Sequence, residues 1–174
     1  MKIISGKFKG KILPFDKNLP SKPTKNIAKE ALFNYLSQEF RWEDVVMLDC
    51  FAGTGNVGLE ALSRGAQWVY FVDNSKKCQV FVQKILKEWK IYNANFILTD
   101  CFTFVNQNQM VFDIIFLDPP YQKIPLHLLI PKLRNFLKSN GKLVLEHLYT
   151  DSFQNFDGYL EKKVYGLSAF SVFK

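Results

Sequence analysis

Apolar residues follow two spacings along this chain, and each change of spacing marks an element. From residue 45 onward, short continuous apolar runs alternate with stretches whose apolar positions recur every three or four residues. Val45-Val46-Met47-Leu48-Asp49 reads as a strand ending in an acid, and residues 56–64 as a short helix stopped by Gly65. Trp68-Val69-Tyr70-Phe71-Val72-Asp73 is a second strand, again with an acid at its end. A helix over 76–90, a strand over 95–99, a short helix near 101–107 and a strand from Phe112 to Asp118 follow. A helix over about 125–138 is expected, with Pro131 as a kink, before Asn140-Gly141 turns into a strand over 142–147. Residues 159–173 read as two strands joined near Gly166. Fully apolar strands alternating with helices predict an α/β fold: a doubly wound, mostly parallel sheet with an antiparallel C-terminal edge strand.

Ahead of this unit, residues 2–13 predict a short N-terminal β-hairpin turning at Gly6 and Gly10, and residues 14–23 a loop with three prolines. Thr24 is suited to cap a helix over 25–38, with Ile27, Ala31, Leu32, Tyr35 and Leu36 on its inner face. The length suits one domain, 1–174, with residues 1–22 as a basic hairpin-and-loop extension. No apolar run reaches membrane-span length, and the basic N-terminus lacks the apolar segment of a signal peptide. Three widely spaced cysteines predict neither a metal site nor a disulfide framework, and the expectation is a cytoplasmic monomer. Charge adds a partner class. Residues 1–30 hold eight lysines against Asp16 and Glu30, a net +6, whereas residues 31–174 hold 15 basic and 14 acidic residues, a net +1. Such a block suits either a polyanion or a solvated surface.

Two motifs carry chemistry. Asp49-Cys50-Phe51-Ala52-Gly53-Thr54-Gly55-Asn56-Val57-Gly58 joins the first parallel strand to its helix and fits G-x-G-x-x-G. Glycine permits the tight turn and a close approach of ligand to backbone, and Asp73 is placed to accept from ribose hydroxyls, so a nucleoside-containing cofactor is expected. A dinucleotide would use the same loop. Asp49 favours a methionine ammonium instead, because a carboxylate repels pyrophosphate. The second motif is Asp118-Pro119-Pro120-Tyr121, at the end of the fourth strand. An exocyclic base amine is a poor nucleophile because its lone pair is delocalised into the ring. The Asp118 carboxylate and a carbonyl of the proline-fixed turn can accept its N–H bonds and aim the lone pair, and Tyr121 offers a face for the base. Asp118 can also take the released proton. The same residues also read as a stiff loop.

With these motifs the chain resembles the class I, Rossmann-like S-adenosylmethionine methyltransferases. More narrowly it resembles the RsmD family, which methylates a guanine N2 in 16S ribosomal RNA. The likeness runs through Ile3-Ile4-Ser5-Gly6-Lys7-Phe8-Lys9-Gly10, Pro23-Thr24, Glu30-Ala31-Leu32-Phe33-Asn34, the glycine loop, Gly58-Leu59-Glu60-Ala61-Leu62-Ser63-Arg64-Gly65-Ala66, Phe116 to Tyr121 and Tyr165-Gly166. The resemblance implies S-adenosylmethionine as cofactor. Asp49, Phe51, Gly53 and Gly55 would surround its methionine part. Asp73, with Asn74 beside it, would hold the ribose, and Asp100 and Cys101 would sit at the adenine. Thr24 would border the site, and Asp118 would close it. It further implies ribosomal RNA, or the assembling small subunit, as partner, with Lys7, Lys9, Lys11, Lys22, Lys25 and Lys29 as RNA contacts. The family's Asp-Arg-Val-Arg-Glu is here Asn26-Ile27-Ala28-Lys29-Glu30, so one arginine has become apolar and the other lysine. Lysine keeps the charge without the bidentate fork.

Other polar and aromatic candidates read as structural. Cys50 and Cys101 are small buried residues rather than nucleophiles, His147 and His127 have no assigned role, and Trp42, Trp68 and Trp89 are packing residues. Three further functions remain open at this point: a DNA adenine-N6 or cytosine-N4 methyltransferase, a nucleotide-dependent oxidoreductase, and a non-catalytic ribosome-assembly factor.

Overall fold

A computed structural model describes residues 1–14, 26–120 and 124–174. Helix α1 (Asn26–Glu39) leads through a 3-10 turn (Trp42–Asp44) into the alternation β1 (Val46–Cys50), α2 (Asn56–Arg64), β2 (Trp68–Asp73), α3 (Lys76–Glu88), β3 (Ala94–Leu98), α4 (Cys101–Gln107), β4 (Phe112–Leu117) and α5 (Leu126–Arg134). Strands β5 (Leu137–Leu148), β6 (Tyr159–Tyr165) and β7 (Ser168–Phe173) complete it. All seven lie in one sheet of order β3-β2-β1-β4-β5-β7-β6. The β1–β2, β2–β3, β1–β4 and β4–β5 pairs are parallel, and β7 pairs antiparallel with β5 and β6. This is the doubly wound sheet with an antiparallel C-terminal edge.

Strand parity sorts the core onto two faces. Met47, Ile114, Phe116, Val144 and Phe170 pack with Leu32, Phe33 and Leu36 of α1, Leu59 and Leu62 of α2, and Val82 and Ile85 of α3. Leu48, Ile115, Leu117, Leu143 and Leu145 pack with Phe104 and Val105 of α4, and with Leu129, Ile130 and Leu133 of α5. Each fully buried Leu or Phe contributes roughly 1.5–3 kcal/mol by leaving water. The strand order reverses between β1 and β4, and in such sheets ligands bind beyond the carboxyl ends of the strands at that point.

Three elements depart from the sequence expectation. The helix expected over 125–138 ends at Arg134, and the chain is already in β5 at Leu137, with an irregularity in the β4 pairing between Phe112 and Ile114. In α1 the buried face carries Ala28, Lys29, Leu32, Phe33 and Leu36, whereas Ile27 is 78% exposed. The N-terminal hairpin is reduced to one antiparallel bridge, Lys2 to Ile12, closed by Ile3 N–H donating to the Lys11 carbonyl and Leu13 N–H to the Met1 carbonyl. Other backbone donors of this segment are spent on α2 instead. Ile4 and Ser5 N–H donate to the Glu60 carboxylate (2.8 and 3.0 Å), Phe8 N–H to Ser63 Oγ (2.9 Å) and Lys7 N–H to the Ser63 carbonyl (2.7 Å).

Candidate functional site

The glycine loop leaves β1 at the switch point. Phe51, Gly53 and Gly55 all take positive φ (59°, 53° and 69°), which folds the chain back onto the start of α2. Asp73 at the end of β2 holds this fold: one carboxylate oxygen accepts from Gly53 N–H and the other from Ser75 N–H, both at 2.8 Å. Gly58 serves packing rather than the ligand. A Cβ there would lie 2.3 Å from the Phe71 ring, so only glycine lets α2 sit this close to β2.

Asp49 is buried at the base of the loop, and its carboxylate accepts from Gly58 N–H at 2.9 Å. Burial pushes it up to about 8, against the Gly58 bond, with the Asp73 charge adding to the rise. No cation pairs with Asp49 among the described residues. A buried carboxylate short of countercharge beside a backbone cradle fits an ammonium-bearing ligand.

Asp118 follows β4 directly, and its N–H points to the Cys50 carbonyl at 3.5 Å, at the end of the β1–β4 pairing. Asp118 is half-buried, Pro119 buried and Pro120 exposed. Burial, then the charges of Glu146 and Asp49, holds Asp118 well above the usual carboxylate range. Parity explains the grouping: Asp49, Asp118 and Glu146 extend the rows of Met47, Phe116 and Val144, all on one sheet face. Sequence reasoning missed Glu146 because it lies inside an apolar strand and belongs to no motif. The signal was an acid at apolar parity next to the strand bearing Asp118.

Beyond this cluster, Asn74 is exposed at the end of β2. Asp100 is exposed and caps α4, accepting from the N–H and hydroxyl of Thr103, which lowers its carboxyl below the usual range. Cys101 is buried against Cys50, whose thiol is raised first by burial and then by its bond to Cys101. His147 is buried, with its ring nitrogens on the Leu148 carbonyl and Ser171 Oγ. His127 is exposed. The Phe8 and Trp89 rings meet at 5.2 Å in a tilted pair, as do Phe33 and Trp42.

The lysines divide. Lys7, Lys9 and Lys11 are exposed on the docked N-terminal segment, with Lys11 Nζ 4.8 Å from the Trp89 ring centroid. Lys29, expected at the RNA surface, is instead fully buried: its ammonium meets Glu60 at 3.1 Å, Asn56 Oδ1 at 2.8 Å and the Lys2 carbonyl at 3.0 Å. Burial pulls its pKa down, partly offset by Glu60. Glu60 also accepts from Arg64 Nε at 3.0 Å. Thus Glu60, Ser63 and Arg64 of the Gly58–Ala66 stretch form a seat for the N-terminal segment. Thr24, Lys22, Lys25 and Tyr121 lie outside the described residues. Among the described residues there is no acid, histidine or cysteine cluster suited to a metal, and no helix long and apolar enough to cross a membrane.

A family model described as "Conserved hypothetical protein 95" matches residues 1–174. The "Ribosomal RNA small subunit methyltransferase D" of Buchnera aphidicola is 36% identical over 148 residues, covering 84% of this chain and 75% of the relative. The protein of the same name from Escherichia coli is 33% identical over 153 residues, 87% of this chain and 74% of the relative. The solved structure "Putative methyltransferase yhhF from Escherichia coli" superposes with a TM-score of 0.84 and 28% identity, over 99% of this chain and 96% of that one.

Proposed function

The chain belongs to the family of the small-subunit rRNA methyltransferase D (RsmD), and from that membership we propose that it transfers a methyl group from S-adenosylmethionine to the exocyclic N2 of a guanine in 16S ribosomal RNA. The observation that carries the chemistry is the half-buried Asp118 carboxyl at the end of β4, beside the glycine loop and backed by the proline pair.

The residues of the cleft fit the cofactor. Asp49 takes the ammonium, the Phe51–Gly55 backbone wraps the methionine part, and Asp73, already fixed by Gly53 and Ser75, has lone pairs left for ribose hydroxyls. Asp100 and Cys101, where the chain passes from β3 into α4, border the adenine. When bound, S-adenosylmethionine supplies an electrophilic methyl on a sulfonium.

Asp118 accepts one N–H of the guanine amine, and a carbonyl of the Pro119-Pro120 turn accepts the other. The two acceptors draw the nitrogen out of conjugation and point its lone pair along the transfer axis. After transfer the amine carries an extra proton, and Asp118, the acceptor already bonded to it, receives that proton directly or through water. Tyr121 stacks on the base that has been drawn from its helix. Lys7, Lys9 and Lys11, with Lys22 and Lys25, neutralise RNA phosphates.

Mapping modified nucleotides in small-subunit RNA from a strain lacking this gene tests the reading. One N2-methylguanosine should be missing and should return on complementation. Unchanged 16S RNA contradicts the substrate.

A further inference from the structure

Glu146 is a buried acid that the reaction so far does not use. It lies on β5, 4% exposed, and belongs to no motif. Phe116 on β4 pairs with Val144 on β5. Two residues further on stand Asp118, just past the end of β4, and Glu146, within β5. Both point to the face that carries Asp49 as well. Adjacent strands lie about 4.8 Å apart, so the two side chains leave neighbouring strand positions on one face. Their closeness registers electrostatically, since the Glu146 charge helps to raise Asp118. Asp118 lies between Asp49 and Glu146 on this face, and the charges of both raise it.

Resting on the base-methylation reading above, we propose that Glu146 accepts the N1–H of the target guanine while Asp118 holds its N2 amine, and so selects guanine over adenine and cytosine. The edge chemistry carries the assignment. On guanine the donor N1–H stands directly beside the N2 amine. On adenine the atom beside the N6 amine is an acceptor nitrogen, and the same holds for cytosine beside N4. Two neighbouring carboxylates therefore match guanine, while the other two bases bring a lone pair against Glu146. Glutamate is one methylene longer than Asp118, which suits the atom farther from the reacting amine.

The test uses small-subunit RNA carrying either guanine or 2-aminopurine at the methylated position. 2-Aminopurine keeps the N2 amine but has an acceptor at N1. The parent protein is expected to favour guanine in kcat/KM by roughly a hundredfold. Glu146→Gln, whose amide can donate to N1, should narrow that preference to less than about tenfold. Glu146→Asp keeps the buried charge but draws the acceptor back; it should lower the rate on guanine RNA while sparing 2-aminopurine RNA. Parent-like preference in either folded variant overturns the proposal. A shift in the acid limb of the pH–rate profile with no change in preference overturns it too, because Glu146 then only tunes Asp118. A parent that methylates neither RNA would instead remove the base-methylation reading.

Discussion

Asp49 is buried and Asp118 half-buried, and loss of solvent does different work at each. In the proposed reaction Asp118 is the acceptor for the guanine amine and for its released proton. Asp118→Asn keeps an oxygen but presents an amide donor and no charge. It is expected to lower kcat about 10²- to 10³-fold with little change in cofactor affinity, read by steady-state kinetics and cofactor titration. The acid limb of the parent's kcat/KM profile should lie above the ordinary carboxylate range and belong to the coupled acids together. At Asp49 the sign of the stability effect follows from its value, about 8 against an ordinary 3.8. The folded state holds this proton longer than the unfolded one. Its stabilising effect is full below the lower value and is lost as pH rises through the higher, at most about 1.4 kcal/mol per pH unit. Asp49→Asn keeps the Gly58 bond and removes that loss. Urea denaturation should show the variant gaining on the parent between pH 5 and pH 8 while cofactor binding weakens. Parallel pH slopes would contradict this.

Among the elements, α2 links the glycine loop to the N-terminal segment. Its first turn follows Gly55, and its later residues Glu60, Ser63 and Arg64 hold backbone atoms of Ile4 to Phe8 or one another. Gly6 fits against the Ser63 carbonyl, where a Cβ would come within 1.8 Å. The Lys29–Glu60 pair is unequal. Removing Glu60 strands Lys29 and frees two N–H groups and Arg64, at a cost of about 3–5 kcal/mol. Removing Lys29 leaves Glu60 still held by Arg64 and those N–H groups. Urea denaturation should therefore show Glu60→Leu losing at least about 2 kcal/mol more than Lys29→Met. Equal losses would contradict the network. This is also where the sequence was least legible. Periodicity gave α2 and β2 to the residue, because capping glycines and strand-end acids bound them. It misplaced the face of α1, since Lys29 shares the i, i+3, i+4, i+7 row with Leu32, Phe33 and Leu36, yet its charge argued for the surface. Its partner Glu60 sits 31 positions away, and no local pattern reports such a pairing. The N-terminal hairpin keeps its antiparallel pairing at Lys2 and Ile12, but it is short because the N–H groups of Ile4, Ser5, Lys7 and Phe8 bond to α2, another pairing that no local pattern reports.

Over the whole molecule, chemistry and charge occupy different places. The acids gather at the carboxyl ends of β1, β2 and β4, as the strand-end positions of Asp49, Asp73 and Asp118 already implied in the sequence. The lysine excess lies in the first 30 residues, whose opening stretch is seated on α2. Replacing Lys7, Lys9 and Lys11 by Gln should reduce the salt slope of RNA binding by about 0.7–0.9 for each phosphate that is no longer neutralised. Lys29→Met should leave that slope unchanged, because its buried ammonium meets no solvent. Filter binding across a salt series separates the two. Amino methylation of a guanine by the Asp118 turn is measured by incubating the purified protein with isotopically labelled S-adenosylmethionine and unmodified small-subunit RNA, then identifying the labelled nucleoside by mass spectrometry. The parent should yield labelled N2-methylguanosine, and Asp118→Ala at most about a hundredth as much. Label on another nucleoside, or equal yield from the two proteins, would contradict the account.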